Sequence, residues 1–112
     1  MEDAVLKYFS AWNSKDAATL SECFDQGVQL KDWDVSLEGL GAVVQGNAKI
    51  WESYPDIEIV VTNIFTSNGK RAAVTCELDV ELNDSAKTVL KVVDLFEFST
   101  SGKISSVRAY KQ

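Results

Sequence analysis

Apolar and polar residues follow two different periods along this chain, and the change of period divides it into a helical half and a strand half. From Glu2 to Asn13, Val5, Tyr8, Phe9 and Trp12 recur at the spacing that gathers side chains on one helical face. Glu2 and Asp3 stand where the positive end of the helix dipole favours carboxylates. Asn13-Ser14-Lys15 is a short connection, and Asp16 is placed to cap a second helix, Ala17 to Phe24, with Leu20, Cys23 and Phe24 as its apolar side. Asp25-Gln26-Gly27 ends it. Two helices so joined form a hairpin with an apolar side to cover.

At Val28 the period falls to two. Val28, Leu30 and Asp32 share one face of a strand, and Gln29, Lys31 and Trp33 take the other. Asp32 therefore rides on the apolar face, unless the strand ends there and its carboxylate meets water. A Ser- and Gly-containing loop runs through Glu38 and Gly39. A third helix follows, Leu40 to Tyr54, with Val43, Val44, Asn47, Ile50, Trp51 and Tyr54 loosely periodic, and Pro55 stops it. Ile57 to Thr66 is rich in β-formers, and Asn68-Gly69 marks a hairpin turn. In Arg71 to Leu82, Val74, Cys76, Leu78, Val80 and Leu82 point inward, while Glu77, Asp79 and Glu81 point outward.

The last stretch, Lys87 to Tyr110, reads as two strands joined by a turn over Ser99 to Lys103. Leu90, Val92, Asp94, Phe96 and Phe98 lie on one side; Val89, Lys91, Val93, Leu95 and Glu97 lie on the other. The side with both Phe residues is the natural inside, and Asp94 is its single charge. A carboxylate there must be paired, satisfied by a nearby backbone or hydroxyl group, or kept protonated as desolvation raises its pKa.

Composition narrows the chemistry. At 112 residues and 46% hydrophobic content the chain is one domain, residues 1–112, with a real core. Seventeen acidic against eleven basic residues, a net charge of −6, argue against nucleic acid and anionic membranes as partners. No apolar run could span a bilayer, and Met1-Glu2-Asp3 lacks the positive start of a signal peptide, so a cytoplasmic location is expected. Cys23 and Cys76 fall in apolar patterns and read as buried, reduced thiols. There is no His, which removes serine-type triads and most zinc sites; acid–base chemistry falls to Asp, Glu, Tyr, Lys or Cys.

Helix, helix, strand, helix and then four hairpin-linked strands is an α+β order. The expected architecture is a cone-shaped α+β barrel: three N-terminal helices packed on a strongly curved, mainly antiparallel sheet that encloses a pocket. Tyr8, Asp32 and Asp94 each come from a face that converges on that pocket. Trp12, Leu30, Val44, Trp51, Phe65, Leu78 and Phe96 are its expected lining.

Three stretches carry a resemblance to a known family. VVDLFEFSTSGKISSVRAY is similar to the closing strand pair of the ketosteroid-isomerase-like and SnoaL-like branch of the nuclear transport factor 2-like superfamily. YFSAWNSKDAATLSECF resembles its first helical hairpin, and VQLKDWD the strand that bears its catalytic base. The resemblance puts Tyr8 on the catalytic tyrosine, Asp32 on the base and Asp94 on the buried acid. It implies proton transfer in an apolar unsaturated ketone through a dienolate, with Asp32 as base and Tyr8 plus protonated Asp94 as oxyanion hole. This is the chemistry of ketosteroid isomerase itself, and the mechanism is carried over by resemblance. No metal or organic cofactor is implied, and the partner is a small apolar carbonyl compound. The alternative is a non-catalytic SnoaL-like binder of a hydrophobic ligand, or a dimeric interaction module. Outward Val89, Val93 and Leu95 suit a homodimer through the sheet. This chain departs from the isomerases in having no Tyr in VVQGNAKIW, in Trp33 where Pro usually follows the base, and in stopping at Gln112, from which a more open or smaller pocket is expected.

Overall fold

The computed structural model describes residues 1–67 and 72–112. The turn read at Asn68-Gly69 and the start of its following strand at Arg71 lie outside the described residues. Helix α1 spans Glu2–Asn13 and α2 spans Ala17–Cys23; strands β1 (Phe24–Lys31) and β2 (Ser36–Glu38) follow, and then α3 (Leu40–Ser53). Strands β3 (Glu58–Ser67), β4 (Ala73–Glu81), β5 (Val89–Phe98) and β6 (Ile104–Lys111) complete the chain.

One six-stranded sheet runs in the order β2-β1-β6-β5-β4-β3. All neighbours are antiparallel except β1 and β6, which pair in parallel. The α+β class and three helices on a mostly antiparallel sheet agree with the sequence reading, but two parts of it need correction. The sheet is open, with β2 and β3 as its edges, so it is not a closed barrel. The helices are not all N-terminal to the sheet, because α3 enters after β1 and β2. Irregular pairing between Phe24 and Gln29, between Val61 and Asn63, and at Glu97/Phe98 increases the local twist of the strands.

Local chemistry explains the boundaries. Asp16 caps α2 by accepting from the Thr19 backbone N–H at 3.1 Å and its hydroxyl at 2.7 Å. Phe24 is already extended, so β1 starts where the sequence suggests a helix end and a turn. Strand β2 falls where the sequence predicts a loop, since three residues are too few to display a period; pairing of Leu30 with Leu37 reveals it. Between β4 and β5, the Asp84 carboxylate accepts from the Thr88 backbone N–H at 2.9 Å and hydroxyl at 3.0 Å. Gly102, at φ +83°, supplies the left-handed residue of the β5–β6 turn.

Helix α1 lies across the inner face of the sheet through aromatic contacts. Phe96 is fully buried, with ring centroids 5.3 Å from Tyr8 and 5.6 Å from Phe9, both edge-to-face. Asn13, at the end of α1, receives the Ile59 N–H and donates to the Ile59 carbonyl, each at 2.8 Å. It thereby ties α1 to edge strand β3. On the outer face Val89 is exposed and Val93 and Leu95 are half-buried. Among the described residues no helix is long and apolar enough to cross a membrane.

Two outcomes follow from this packing. Phe96→Ala should cost about 3–5 kcal/mol in urea denaturation, since it leaves a void under α1, whereas Phe65→Ala, at a site 56% exposed, should change stability by about 0.5 kcal/mol or less. Cys76 is fully buried and its thiol is pushed up to about 12, chiefly by burial and then by Asp94. Both Cys76 and Cys23, a buried thiol that burial also pushes up, should label slowly with a thiol reagent until denaturant is added; fast native labelling of Cys76 would contradict its placement.

Candidate functional site

A cavity of about 550 Å³ lies between the inner face of the sheet and helices α1 and α3. Its sheet wall is aliphatic: Leu30, Ile59, Leu78, Val80, Leu90, Val92, Val107 and Ala109 all reach it. The period of two explains why, because these positions share the inner face of their strands. Into this surface the sheet projects one carboxyl, Asp94, from the middle of β5 between Cys76 and Ala109 on the adjoining strands.

Asp94 is 6% exposed, and among the described residues no hydrogen bond or ion pair engages it. Burial, and secondly the nearby Asp32 carboxylate, push it up to about 7. Both causes penalise the ionised form, and loss of hydration is the larger. Tyr8 reaches the same cavity from α1, held by edge-to-face contact with Phe9, Phe24 and Phe96. Burial, then Asp94 and then Cys23, raise the Tyr8 hydroxyl well above the usual tyrosine range. It is therefore a neutral O–H, able to donate.

Asp32 also lines the cavity, but from a turn and not from the strand. β1 ends at Lys31, because the Asp32 N–H donates to the Val35 carbonyl at 3.0 Å and reverses the chain. The Asp32 Oδ1 accepts the Asp34 and Val35 N–H groups at 2.7 and 2.8 Å. This Asx turn fixes the carboxylate's direction and leaves Oδ2 for other partners. The residue is half-buried, between the apolar-face and solvent alternatives read from the sequence. Trp33, Asp34 and Val35 continue the rim, and the Lys111 ammonium sits 5.1 Å from the Trp33 ring centroid.

Of the apolar residues expected in the lining, Trp12, Leu30 and Leu78 reach the cavity. The other four lie elsewhere. Phe96 is beneath α1 among the aromatic rings, Trp51 packs its edge against Trp12 at 5.9 Å, and Val44 packs on the core. Phe65 is on the outer face: its partner is Thr75, one position out of phase with inward Val74 and Cys76. The irregularity near Thr62 shifts the register of β3 and moves its side chains between faces.

Sequence reasoning misses Asn47 as a site residue. It is 3% exposed on α3 and lines the cavity. Its Oδ1 accepts the Trp12 indole N–H at 2.8 Å, and its Nδ2 donates to the Val43 carbonyl at 2.9 Å. The available signal is an amide four residues from Val43 and four from Trp51, inside an apolar helical stripe. Among the described residues no group of three His, Cys, Asp or Glu side chains is arranged to hold a metal ion.

Comparison with known proteins places this arrangement. A search of curated proteins yields no significant match. Among solved structures, the chain resembles a nuclear transport factor 2-like protein of unknown function from Cytophaga hutchinsonii (TM-score 0.82, 17% identity, covering 99% of this chain and 88% of that one). It also resembles a candidate polyketide cyclase from Sinorhizobium meliloti (TM-score 0.77, 19% identity, 96% and 93% covered). A third is a candidate ketosteroid isomerase from Kribbella flavida (TM-score 0.77, 21% identity, 98% and 76% covered). Identities this low establish a common fold. The sequence profile of the SnoaL-like domain matches residues 5–107, nearly the whole chain, and the protein belongs to that family.

Proposed function

We propose that this protein is a small isomerase that moves a proton within an apolar unsaturated ketone by way of a dienolate. The observation that carries the reading is the Asp94 carboxyl: buried, without a hydrogen-bond partner among the described residues, and set in the otherwise aliphatic sheet wall of the cavity beside Tyr8. A structural carboxyl would be expected to bond within the fold. This one is left to meet a ligand.

The chemistry runs on the chain's own residues. Asp32 Oδ2 takes the proton α to the substrate carbonyl. The electron pair moves through the C–C–O system to the carbonyl oxygen, and the proton returns from Asp32 to the γ carbon, so the reaction is an isomerisation with no net gain or loss. Tyr8 and protonated Asp94 donate to the developing oxyanion, where two preorganised donors in a water-poor site act most strongly. The two carboxyls take different roles because their settings differ. Asp94 is desolvated and pushed up to about 7, while Asp32 is held by two backbone N–H groups at the rim.

A second reading, a non-catalytic binder of small hydrophobic ketones or phenols, is favoured by those same two N–H bonds, which would make Asp32 a turn cap only. The exposed Val89 and half-buried Val93 and Leu95 on the outer face support association of two copies through the sheet in either case. Sedimentation should then give a dimer mass that Val93→Lys reduces to a monomer's.

Enzyme and binder separate experimentally. With a β,γ-unsaturated cyclic ketone in D₂O, Asp32→Asn should lower isomerisation and exchange by about 10²–10⁴ without unfolding the protein. Wild-type turnover no faster than buffer would select the binder. Tyr8→Phe should weaken binding of a substituted phenol by roughly tenfold, as one donor to the phenolate is lost.

Asp94 sets the pH dependence. Its folded pKa lies above its unfolded value, so its contribution to stability is fully present below about pH 4 and is lost as pH rises to about 7. Relative to Asp94→Asn, the wild type should lose about 1.4 kcal/mol per pH unit at most across that window, and nothing further above it. kcat/KM should fall above about pH 7, and Asp94→Asn should remove that limb. Parallel stability curves for the two proteins would show that Asp94 titrates normally.

A further inference from the structure

Asn47 is a polar group that the proton transfer does not use. Its amide nitrogen can donate twice and its oxygen accept twice, yet within the fold Nδ2 donates once, to the Val43 carbonyl, and Oδ1 accepts once, from Trp12 Nε1. Orientation is not ambiguous. An indole nitrogen is only a donor, so the amide oxygen must face Trp12 and the NH₂ must face away from it. One N–H is therefore left over on a side chain that is 3% exposed and lines the cavity. Burying a spare donor beside an aliphatic wall is unfavourable unless a ligand oxygen meets it.

Its position relative to the oxyanion donors follows from α1. Tyr8 and Trp12 stand four residues apart on one face, about 6 Å along the helix axis. Asn47 is bonded to the indole Nε1 of Trp12. Apart from Asp32 and Asp34 at the rim and Lys49, Ser53 and Tyr54 on the α3 side, the cavity lining thus has two buried polar stations, Tyr8 with Asp94 and, bonded to Trp12, Asn47.

We propose that Asn47 is a specificity residue which donates to a second oxygen acceptor of the ligand, so that the substrate class is an apolar carbonyl compound oxygenated also at the end remote from the enolised carbonyl. This rests on the reading that Tyr8 and Asp94 hold the first oxygen. Trp12 is the positioning residue for the amide.

The test uses two phenols of nearly equal shape, 6-methoxy-2-naphthol and 6-ethyl-2-naphthol, which differ by an ether oxygen in place of a methylene. Their affinities are measured by calorimetry for wild type, Asn47→Leu, Asn47→Asp and Tyr8→Phe. In the wild type the methoxy compound should bind roughly three- to tenfold tighter than the ethyl compound, the range of one hydrogen bond. Asn47→Leu, which has no donor, should bring the ratio to one or below. Asn47→Asp keeps an oxygen for the Trp12 indole and should lose the preference as well, which separates ligand recognition from the hold on Trp12. Tyr8→Phe should weaken both naphthols alike and leave the ratio in place. Equal wild-type affinities, or a preference that survives both Asn47 variants, would overturn the role of Asn47. Undiminished binding of both naphthols to Tyr8→Phe would instead overturn the shared oxyanion site.

Discussion

The edge-to-face packing of Tyr8 and Phe9 on Phe96 decides where α1 lies, and most of the molecule's architecture depends on it. Phe96 is fully buried under the helix. Asp94 is two residues back on the same strand, so the pleat sends it to the same face. One side chain lies beneath α1 and the next along that face opens into the space between helices and sheet. Core and cavity are thus adjacent stations on one strand. Tyr8 belongs to both, its ring in the aromatic cluster and its side chain at the cavity wall.

That placement sets the electrostatics. A carboxyl among aliphatic side chains is held protonated toward neutral pH because water is missing, and the Asp32 carboxylate adds to the effect. Asp32 itself is stabilised by local backbone N–H groups that a three-residue turn provides without tertiary help. Two identical side chains thus sit in different settings, one desolvated on the inner face of the sheet and one bonded within a rim turn.

Helix α3 closes the third side. The Trp12–Asn47 bond joins it to α1, and Asn13 joins α1 to β3 through a paired backbone contact. These amides do what further apolar packing could not: they fix rotation and register of a helix over an open sheet, since hydrogen bonds are directional and dispersion is not. Trp51 packs behind the pair, its ring against Trp12.

Elements whose periods run long enough are legible from the chain itself. The stripe Val5-Tyr8-Phe9-Trp12 specifies α1, and the alternation from Leu90 to Phe98 specifies β5 and puts Asp94 inside. Three features cannot be read that way. β2 exists only because Leu37 finds Leu30 on a neighbouring strand. Phe65 faces outward because irregular pairing with β4 shifts the phase of β3, and a run of β-formers looks the same on either phase. The open sheet follows from which strands become neighbours: β1 meets β6 in parallel from the far end of the sequence, and β2 and β3 are left as edges. Local pattern determines which face of an element is apolar. Only the assembled sheet decides which apolar residues fill the core and which are left lining a cavity, because that depends on where a helix from elsewhere in the chain comes to rest.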